Sequence, residues 1–302
     1  MRPDIIQKLL EINDQFYQNF GAAFAATRRR IQPGVRRIIE NLPVGGRLLD
    51  LGCGSGALAL ELDRRWPTGS YLGLDASPVL LAEARAALKA APAGGVDIRF
   101  ALANLADPDW IEIAAAFPVD AVLAFAVMHH IPSADLRRRI LEQVNSLLPA
   151  GGLFIHSEWQ FQHSPRWLAR VQPWARVGID EREVEAGDTL LDWRHHLPGQ
   201  AEQVGLRYVH LFSRAELSQL AQASGFEIIE EFESDGEGGR SREHRGAGVS
   251  ALLAAAVGAR VPARSGRELA ERGAELGLYG APRGDGARDL RRGAAPVARD
   301  LP

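Results

Sequence analysis

The sequence predicts an α/β fold, a doubly wound and mostly parallel sheet with helices on both faces, from two observations. First, an apolar run over residues 48–51 stops at three alternating glycines and continues into a helical pattern, which indicates a buried strand, a tight turn and a helix. Second, the run over residues 70–75 ends in an acid, and strand and helix patterns then alternate as far as residue 232. Such alternation is typical of parallel strands joined by helices.

The composition sets the class of protein. The 302 residues are 46 % hydrophobic, which is ample for a core, and the formal net charge of −3 gives no overall attraction to nucleic acid or acidic membranes. The single cysteine, Cys53, excludes a disulfide within the chain. No run approaches the roughly 20 apolar residues that span a bilayer, and the start lacks an apolar signal segment. We therefore expect a cytoplasmic protein with no membrane partner.

The elements follow in order. Helical spacing over residues 4–25 and 35–41, separated by Pro33-Gly34, predicts two helices before the first strand. After the second strand, Ser77 and Pro78 are a helix cap and a first-turn proline. The later pattern predicts helices over 78–90, 134–148 and 213–224, and strands that begin at residues 96, 119, 153 and 225.

The glycine turn indicates a ligand site, because glycine reaches positive φ without penalty and lets a ligand lie against the backbone. Its spacing is Gly-x-Gly-x-Gly from Gly52 to Gly56, whereas dinucleotide sites favour Gly-x-Gly-x-x-Gly. Asp50, two residues before the turn, repels a pyrophosphate and suits an ammonium group. Asp75, at the end of the second strand, suits ribose hydroxyls. The two acids predict a nucleoside that carries an amino acid.

Residues 49–56 and 73–77 resemble the first two motifs of class I methyltransferases that use S-adenosylmethionine, and the resemblance spans roughly residues 10–235. It implies a Rossmann-like fold and S-adenosylmethionine as cofactor, and no metal is predicted. Asn104 stands where related enzymes usually have an aspartate that accepts from adenine, and asparagine accepts through its carbonyl. The implied cofactor residues are Asp50, Gly52, Cys53, Gly54, Ser55, Gly56, Asp75, Ala76, Asn104, Leu105, Phe125 and Ala126.

The fourth strand ends in His129 and His130, at the sheet edge where ligands bind in open α/β sheets. The segment around them resembles the fourth motif of the same superfamily. We expect His129 to contact the substrate, and either histidine could be a base for a hydroxyl, amine or carbon acid, whereas a carboxylate acceptor needs none. The alternative is that these histidines are structural.

Two segments resemble the branch of the superfamily that methylates modified wobble uridines in transfer RNA. They are the N-terminal Tyr17-x-x-Phe20 with Ala26-Thr27-Arg28, and the later Arg207-Tyr208-x-His210-Leu211-Phe212. The resemblance implies that Arg28 holds the carboxylate of a carboxymethyl group as a paired ion, although Arg28 could instead be part of a solvated helix end. It also implies that residues 1–40 form an N-terminal cap that covers the cofactor, and it implies a small activator protein as a partner.

An insert on the substrate side is predicted over residues 158–212, and it contains four of the six tryptophans. Tryptophan interleaved with arginine suits stacking on nucleotide bases. Alternatively, the insert is a lid whose tryptophans form a small core of their own. In either case we expect the insert, and not the sheet, to select the substrate. The tryptophans are Trp159, Trp167, Trp174 and Trp193.

The methyltransferase domain is predicted to end at residue 238. An antiparallel seventh strand should complete the sheet, but no pattern for it is evident, so this final strand is predicted to be missing. Residues 239–302 are rich in Gly, Ala and Arg and are predicted to be disordered. They are either a nucleic-acid-binding tail or, preferably, the product of a shifted reading frame.

The preferred function is methyl transfer from S-adenosylmethionine, with a modified wobble uridine of transfer RNA as the acceptor. One alternative is a methyltransferase for a small metabolite, which the same sheet would serve with the insert as a hydrophobic lid. The other alternative is a non-catalytic protein that binds a nucleoside cofactor for structure or regulation.

Overall fold

The structure is a computed structural model that describes residues 1–27, 30–162, 164–195, 201–235 and 248–257. It contains a seven-stranded sheet and a smaller three-stranded sheet. The helices are α1 (Pro3–Ala26), α2 (Pro33–Asn41), α3 (Ala57–Arg65), α4 (Pro78–Ala90), α5 (Trp110–Ala115), α6 (Ala134–Leu147), α7 (Pro165–Leu168) and α8 (Arg214–Ala223). The strands are β1 (Arg47–Leu51), β2 (Gly69–Asp75), β3 (Val96–Leu102), β4 (Ala121–Phe125), β5 (Leu153–Gln160), β6 (Val171–Gln172), β7 (Asp188–His195), β8 (Gln203–His210), β9 (Phe226–Asp235) and β10 (Gly248–Val257).

The large sheet confirms the doubly wound fold. Its strand order is β3-β2-β1-β4-β5-β10-β9, and β1 to β5 pair in parallel. Side chains alternate between two apolar cores: Leu49 and Leu51 lie in one, and Leu48 lies in the other. Burial on both faces explains why β1 is almost continuously apolar. The reversal of strand order beside β1 brings the carboxyl ends of β1 and β4 together, where ligands bind in such sheets.

The prediction that the final antiparallel strand is missing is wrong. β10 occupies that position and pairs antiparallel with both β5 and β9, with Ala254 opposite Ile155 and Glu230. Alanine-rich segments have weak strand propensity, but a strand placed between two others has backbone partners on both sides. The domain therefore extends beyond residue 238, and the predicted tail is not uniformly unstructured. The rest of that segment, residues 236–247 and 258–302, lies outside the described residues.

The cap and the insert pack against each other beside the large sheet. In the insert β6, β7 and β8 form an antiparallel sheet, and α1 contacts β8. Asn13 of α1 is buried, accepts a 2.8 Å hydrogen bond from the Tyr208 backbone N–H and donates one of 3.3 Å to the His130 carbonyl. One buried amide thus ties the cap to the insert and to the segment after β4.

Within the described part of the chain, α1 to α8 include no helix with the length and apolar character needed to cross a membrane.

Candidate active site

A cleft of about 1500 Å³ opens where β1, β2, β3 and β4 end. Its walls come from the glycine turn, the segments after β2, β3 and β4, helix α1 and the insert. His129 lines it, and so do all of the predicted cofactor residues except Gly56. Arg28, predicted to hold a substrate carboxylate, lies outside the described residues. Side chains from distant parts of the sequence therefore meet at the predicted edge of the sheet.

The three glycines of the turn have different roles. All have positive φ: +69° at Gly52, +57° at Gly54 and +76° at Gly56. A Cβ on Gly52 would lie 2.5 Å from Val127 Cγ2, and one on Gly56 would lie 3.0 Å from Ala84 Cβ. A Cβ on Gly54 would have no protein atom within 4 Å. The outer two glycines therefore permit close packing, and Gly54 leaves open space at the cleft for a ligand.

A pair of substitutions separates these roles. Gly52→Ala should cost about 1–2 kcal/mol in backbone strain and a further 1–3 kcal/mol in overpacking against Val127. Gly54→Ala should cost only the strain, yet it should weaken the binding of S-adenosylhomocysteine because its methyl group enters the open space. Thermal unfolding and calorimetry test this. If the two variants lost equal stability and Gly54→Ala bound S-adenosylhomocysteine with wild-type affinity, Gly54 would not face the ligand.

Asp75 is held by the turn that it faces. Its Oδ2 accepts from the Gly54 backbone N–H and its Oδ1 accepts from the Ser77 backbone N–H, each at 2.8 Å. Burial raises the pKa of this carboxyl, against the opposing effect of the two hydrogen bonds. Each oxygen retains a further acceptor site, so the fixed carboxylate fits a pair of ribose hydroxyls.

Asp50 is also buried, and it accepts a hydrogen bond from the Tyr71 hydroxyl. Burial raises the pKa of its carboxyl to about 7; the Tyr71 hydrogen bond lowers it in part, and the charge of Asp75 adds to the rise. An ammonium group in this part of the cleft would favour the ionised form. The two acids and the open glycine turn therefore fit a nucleoside that carries an amino acid, as S-adenosylmethionine does.

The raised pKa of Asp50 predicts pH-dependent ligand binding. At pH 6 the carboxyl is mostly protonated and neutral, and at pH 8 it is ionised and attracts an ammonium group. S-adenosylhomocysteine should therefore bind about tenfold more tightly at pH 8, because pH 6 lies one unit below the pKa. 5′-Methylthioadenosine lacks the ammonium group and serves as the matched ligand. In calorimetry the affinity for S-adenosylhomocysteine, divided by the affinity for 5′-methylthioadenosine, should rise with pH. Asp50→Asn should abolish this rise. A constant ratio in the wild type would refute this role.

Two of the remaining predicted cofactor residues show constraints of their own. The exposed Asn104 already accepts a 3.0 Å hydrogen bond from the Ala106 backbone N–H through Oδ1, so its adenine contact stays a prediction that uses the second lone pair. Cys53 is buried, and burial is the main cause that raises the pKa of its thiol above the ordinary value. The negative charges of Asp50 and Asp75 raise this pKa as well. This favours a packing role for Cys53 over a reactive thiol.

His129 is bound to Glu158, a residue that the sequence reasoning missed. Glu158 Oε2 accepts from the His129 backbone N–H at 3.0 Å and lies 2.9 Å from His129 Nδ1, and Oε1 lies 3.0 Å from His156 Nδ1. Burial opposes the charge of Glu158, but the hydrogen bonds with the two histidines lower its pKa. The only signal in the sequence is an acid that follows His156 within a buried strand.

His130 has a different role from His129. Its Nδ1 lies 3.2 Å from the Tyr208 carbonyl and its Nε2 lies 3.2 Å from the Tyr17 hydroxyl. Both ring nitrogens therefore contact the cap or the insert. Both histidines line the cleft, where His129 is buried and His130 is partly exposed. The contacts of His130 are those of a structural bridge, and substrate contact by His129 stays a prediction.

The insert divides its tryptophans between core and cleft. Trp174 is buried with Leu9, Ile179 and Leu190 in a small apolar core, as the lid alternative expects. The other three tryptophans line the cleft together with Arg166 and Arg194. The cleft therefore has an aromatic and basic wall opposite in character to its acidic cofactor end.

Arg207 is the second site residue that the sequence reasoning missed, although it lies in a segment that carried the resemblance. Its side chain lines the cleft, is only 2 % exposed, and lies 5.1, 5.3 and 5.5 Å from the ring centres of Phe16, Phe24 and Trp159. A guanidinium inside an aromatic wall is both charged and shielded from water.

The opposite face of β8 fixes Arg207 in place. The Tyr208 hydroxyl and His210 Nδ1 both lie 2.7 Å from Asp188 Oδ1, and His210 Nε2 lies 2.8 Å from Glu216 Oε1. Burial opposes the charge of His210, but its hydrogen bonds to the two carboxylates raise its pKa. Because side chains alternate along a strand, anchoring Tyr208 and His210 turns Arg207 toward the cleft.

Comparisons with known proteins agree with this geometry. Residues 24–231 match a family model described as a methyltransferase domain. A tRNA (carboxymethyluridine(34)-5-O)-methyltransferase of Schizosaccharomyces pombe is 25 % identical over 227 residues, 72 % of this chain and 89 % of the relative. A trans-aconitate 2-methyltransferase of Streptomyces avermitilis is 32 % identical over 136 residues, 41 % of this chain and 48 % of the relative.

Among solved structures, a SAM-dependent methyltransferase from Methanosarcina mazei is similar in fold. The match has a TM-score of 0.54 at 20 % identity and covers 76 % of this chain and 99 % of that protein. The family model covers more than half of the chain, and the structure brings the motif residues of the family together in one cleft. The chain therefore belongs to the class I S-adenosylmethionine-dependent methyltransferases.

Proposed function

We propose that this enzyme methylates a carboxylate, and that the carboxylate is the carboxymethyl group of a modified wobble uridine in transfer RNA. The observation that carries the proposal is the buried guanidinium of Arg207 in the cleft wall. A guanidinium stays charged at all physiological pH values and offers paired donors that match the two oxygens of a carboxylate. The surrounding aromatic rings strengthen that attraction because they exclude water.

A carboxylate acceptor suits the other cleft residues. S-adenosylmethionine supplies an electrophilic methyl group when bound, and a carboxylate accepts it without losing a proton. The enzyme then needs to hold the acceptor in line, which can lower a barrier by roughly 7–11 kcal/mol. Arg207 would fix the carboxylate and His129 would orient it, and Asp50 and Asp75 would hold the cofactor. Arg207 would thus have the role that the resemblance implies for Arg28, which lies outside the described residues and whose role stays a prediction.

The aromatic wall supports a nucleotide as the carrier of the carboxylate. Trp159 and Trp167 are half-buried and lie edge to face at 4.5 Å between ring centres, and Arg166 lies 5.7 Å from the Trp167 ring centre. Exposed aromatic faces stack on unpaired bases, and arginine beside them can contact phosphate. The S. pombe relative is named for carboxymethyluridine at position 34, which has the acceptor group proposed here.

A small carboxylate is the second candidate. The S. avermitilis relative is named for trans-aconitate, which also carries carboxylates, so Arg207 would serve either acceptor. The aromatic wall would then act as an apolar lid. The transfer RNA proposal additionally includes a cytoplasmic location and a small activator protein, both of which stay predictions.

The test uses the full chain with S-adenosylmethionine and three acceptors. These are transfer RNA that contains carboxymethyluridine, the same transfer RNA without that modification, and trans-aconitate. Mass spectrometry of nucleosides and small acids should find a gain of one methylene group on carboxymethyluridine alone. Methylation of trans-aconitate alone would favour the second candidate. Methylation of the unmodified transfer RNA would refute the carboxylate proposal.

A further inference from the structure

We propose that Glu158 is a positioning residue that fixes which nitrogen of His129 faces the methyl acceptor. The inference rests on the proposed function only where it concerns the acceptor, since the geometry belongs to the protein alone. Glu158 touches neither cofactor nor acceptor in this proposal and acts through His129.

The geometry joins the carboxylate to two parts of His129. Glu158 Oε2 binds both the backbone N–H and ring Nδ1 of His129, at 3.0 and 2.9 Å, and the two residues are 0 % and 2 % exposed. One oxygen therefore restrains both the backbone and the ring. A ring restrained in this way cannot rotate without breaking a buried, charge-assisted hydrogen bond.

The same contact selects the ring proton. An ionised carboxylate is only an acceptor, so Nδ1 must carry the hydrogen in the 2.9 Å contact. The Trp159 backbone N–H also approaches Nδ1, at 3.4 Å, but it can donate only to a nitrogen without a hydrogen. The shorter contact with the charged partner prevails, so Nε2 is the nitrogen that His129 offers to the cleft.

His156 fixes the carboxylate from the other side. Its Nδ1 lies 3.0 Å from Glu158 Oε1, and its ring stacks on Phe154 at 4.9 Å with 16° between the planes. Glu158 thus has hydrogen-bond partners on both oxygens and stays ionised within the core. When His129 is protonated on both nitrogens, its Nε2–H can donate to an acceptor carboxylate, and Glu158 balances the added charge.

The first test is spectroscopic and needs no acceptor. In the ¹⁵N-histidine-labelled full chain, long-range ¹H–¹⁵N spectra should show His129 with its hydrogen on Nδ1, assigned by the loss of its signals in His129→Gln. Glu158→Met, which removes both acceptors at similar volume, should move the neutral ring toward the Nε2–H form. An Nε2–H ring in the wild type would overturn the proposal.

The second test is kinetic and uses whichever acceptor the enzyme methylates. Glu158→Gln should lower kcat about 10- to 100-fold, as changes to the carboxylate partners of metal-binding histidines do, while the affinity for S-adenosylhomocysteine is retained. The double variant that combines Glu158→Gln with His129→Gln should lose no more activity than the single variant His129→Gln. Val144→Ala, a core truncation outside the cleft lining, controls for stability.

The outcomes distinguish the two proposals. If none of the three acceptors is methylated but His129 carries its hydrogen on Nδ1, the proposed function fails and the positioning role stands. If Glu158→Gln loses no more activity than Val144→Ala at matched stability, Glu158 is merely structural and the inference is overturned.

Discussion

Replacing Arg207 with methionine is expected to lower kcat/KM for the acceptor at least about 100-fold. The guanidinium lies buried in the cleft wall, where a carboxylate would form charge-assisted hydrogen bonds worth about 1.5–3 kcal/mol each. Two such bonds correspond to a rate factor of about 100 or more, since each 1.36 kcal/mol is tenfold. Methionine keeps much of the side-chain volume and removes the charge, so the core should remain filled.

The controls for this prediction separate recognition from folding. Arg176→Met changes an exposed arginine that bonds to Gln172 and does not line the cleft, and it should leave kcat/KM unchanged. Arg207→Lys should give an intermediate loss, because a single ammonium cannot bind a carboxylate in two places. Affinity for S-adenosylhomocysteine should stay within about threefold of wild type. An Arg207→Met enzyme with normal kcat/KM would show that another group binds the acceptor.

Replacing Asp75 with alanine is expected to weaken S-adenosylhomocysteine binding at least about 100-fold. The change removes the acceptor for two ribose hydroxyls, at about 1.5–3 kcal/mol for each bond to a charged group. It also frees the Gly54 and Ser77 backbone N–H groups that Asp75 now accepts from, so the turn loses an anchor. Asp75→Asn should fall between wild type and alanine because its amide oxygen can replace only one of the carboxylate oxygens.

Calorimetry with the purified full chain measures this effect. Asp97→Ala is the matched control, because Asp97 is an exposed acid of the neighbouring strand β3 that pairs with Arg99. It should bind S-adenosylhomocysteine as wild type does. If Asp75→Ala also bound it normally, the ribose would lie elsewhere and the cofactor geometry would need revision.

The parts of the site that the sequence predicted are those with local signals. The glycine turn follows strand β1, and Asp75 is the last residue of strand β2. The carboxyl ends of parallel strands lie at the same edge of the sheet, so these residues are expected to be close together. Gly54, Asp50 and Asp75 consequently meet in the cleft as expected. His129 also lines the cleft, but the prediction that the fourth strand ends in the two histidines is wrong, because β4 ends at Phe125 and His129 lies in a short 3-10 helix after it.

Other features depend on contacts that no local pattern specifies. Arg207 faces the cleft because Asp188 holds its neighbours in β8, and Glu158 of β5 reaches His129 in the segment after β4. Strand β10 has its backbone partners in β5 and β9. Its alanine-rich segment has weak strand propensity, so the sequence alone predicts no strand there. In each case the contacts that fix the side chain or the strand come from segments distant in the sequence.

The most direct test of the central claim is the chemical stability of the transferred methyl group. The full chain would be incubated with methyl-labelled S-adenosylmethionine and the acceptor that it methylates, and the purified product would be treated with mild alkali. A methyl ester of a carboxylate hydrolyses, so the label should be released as volatile methanol. Label that stays on the product would identify an amine, a hydroxyl or a carbon as the acceptor, and would contradict carboxylate methylation.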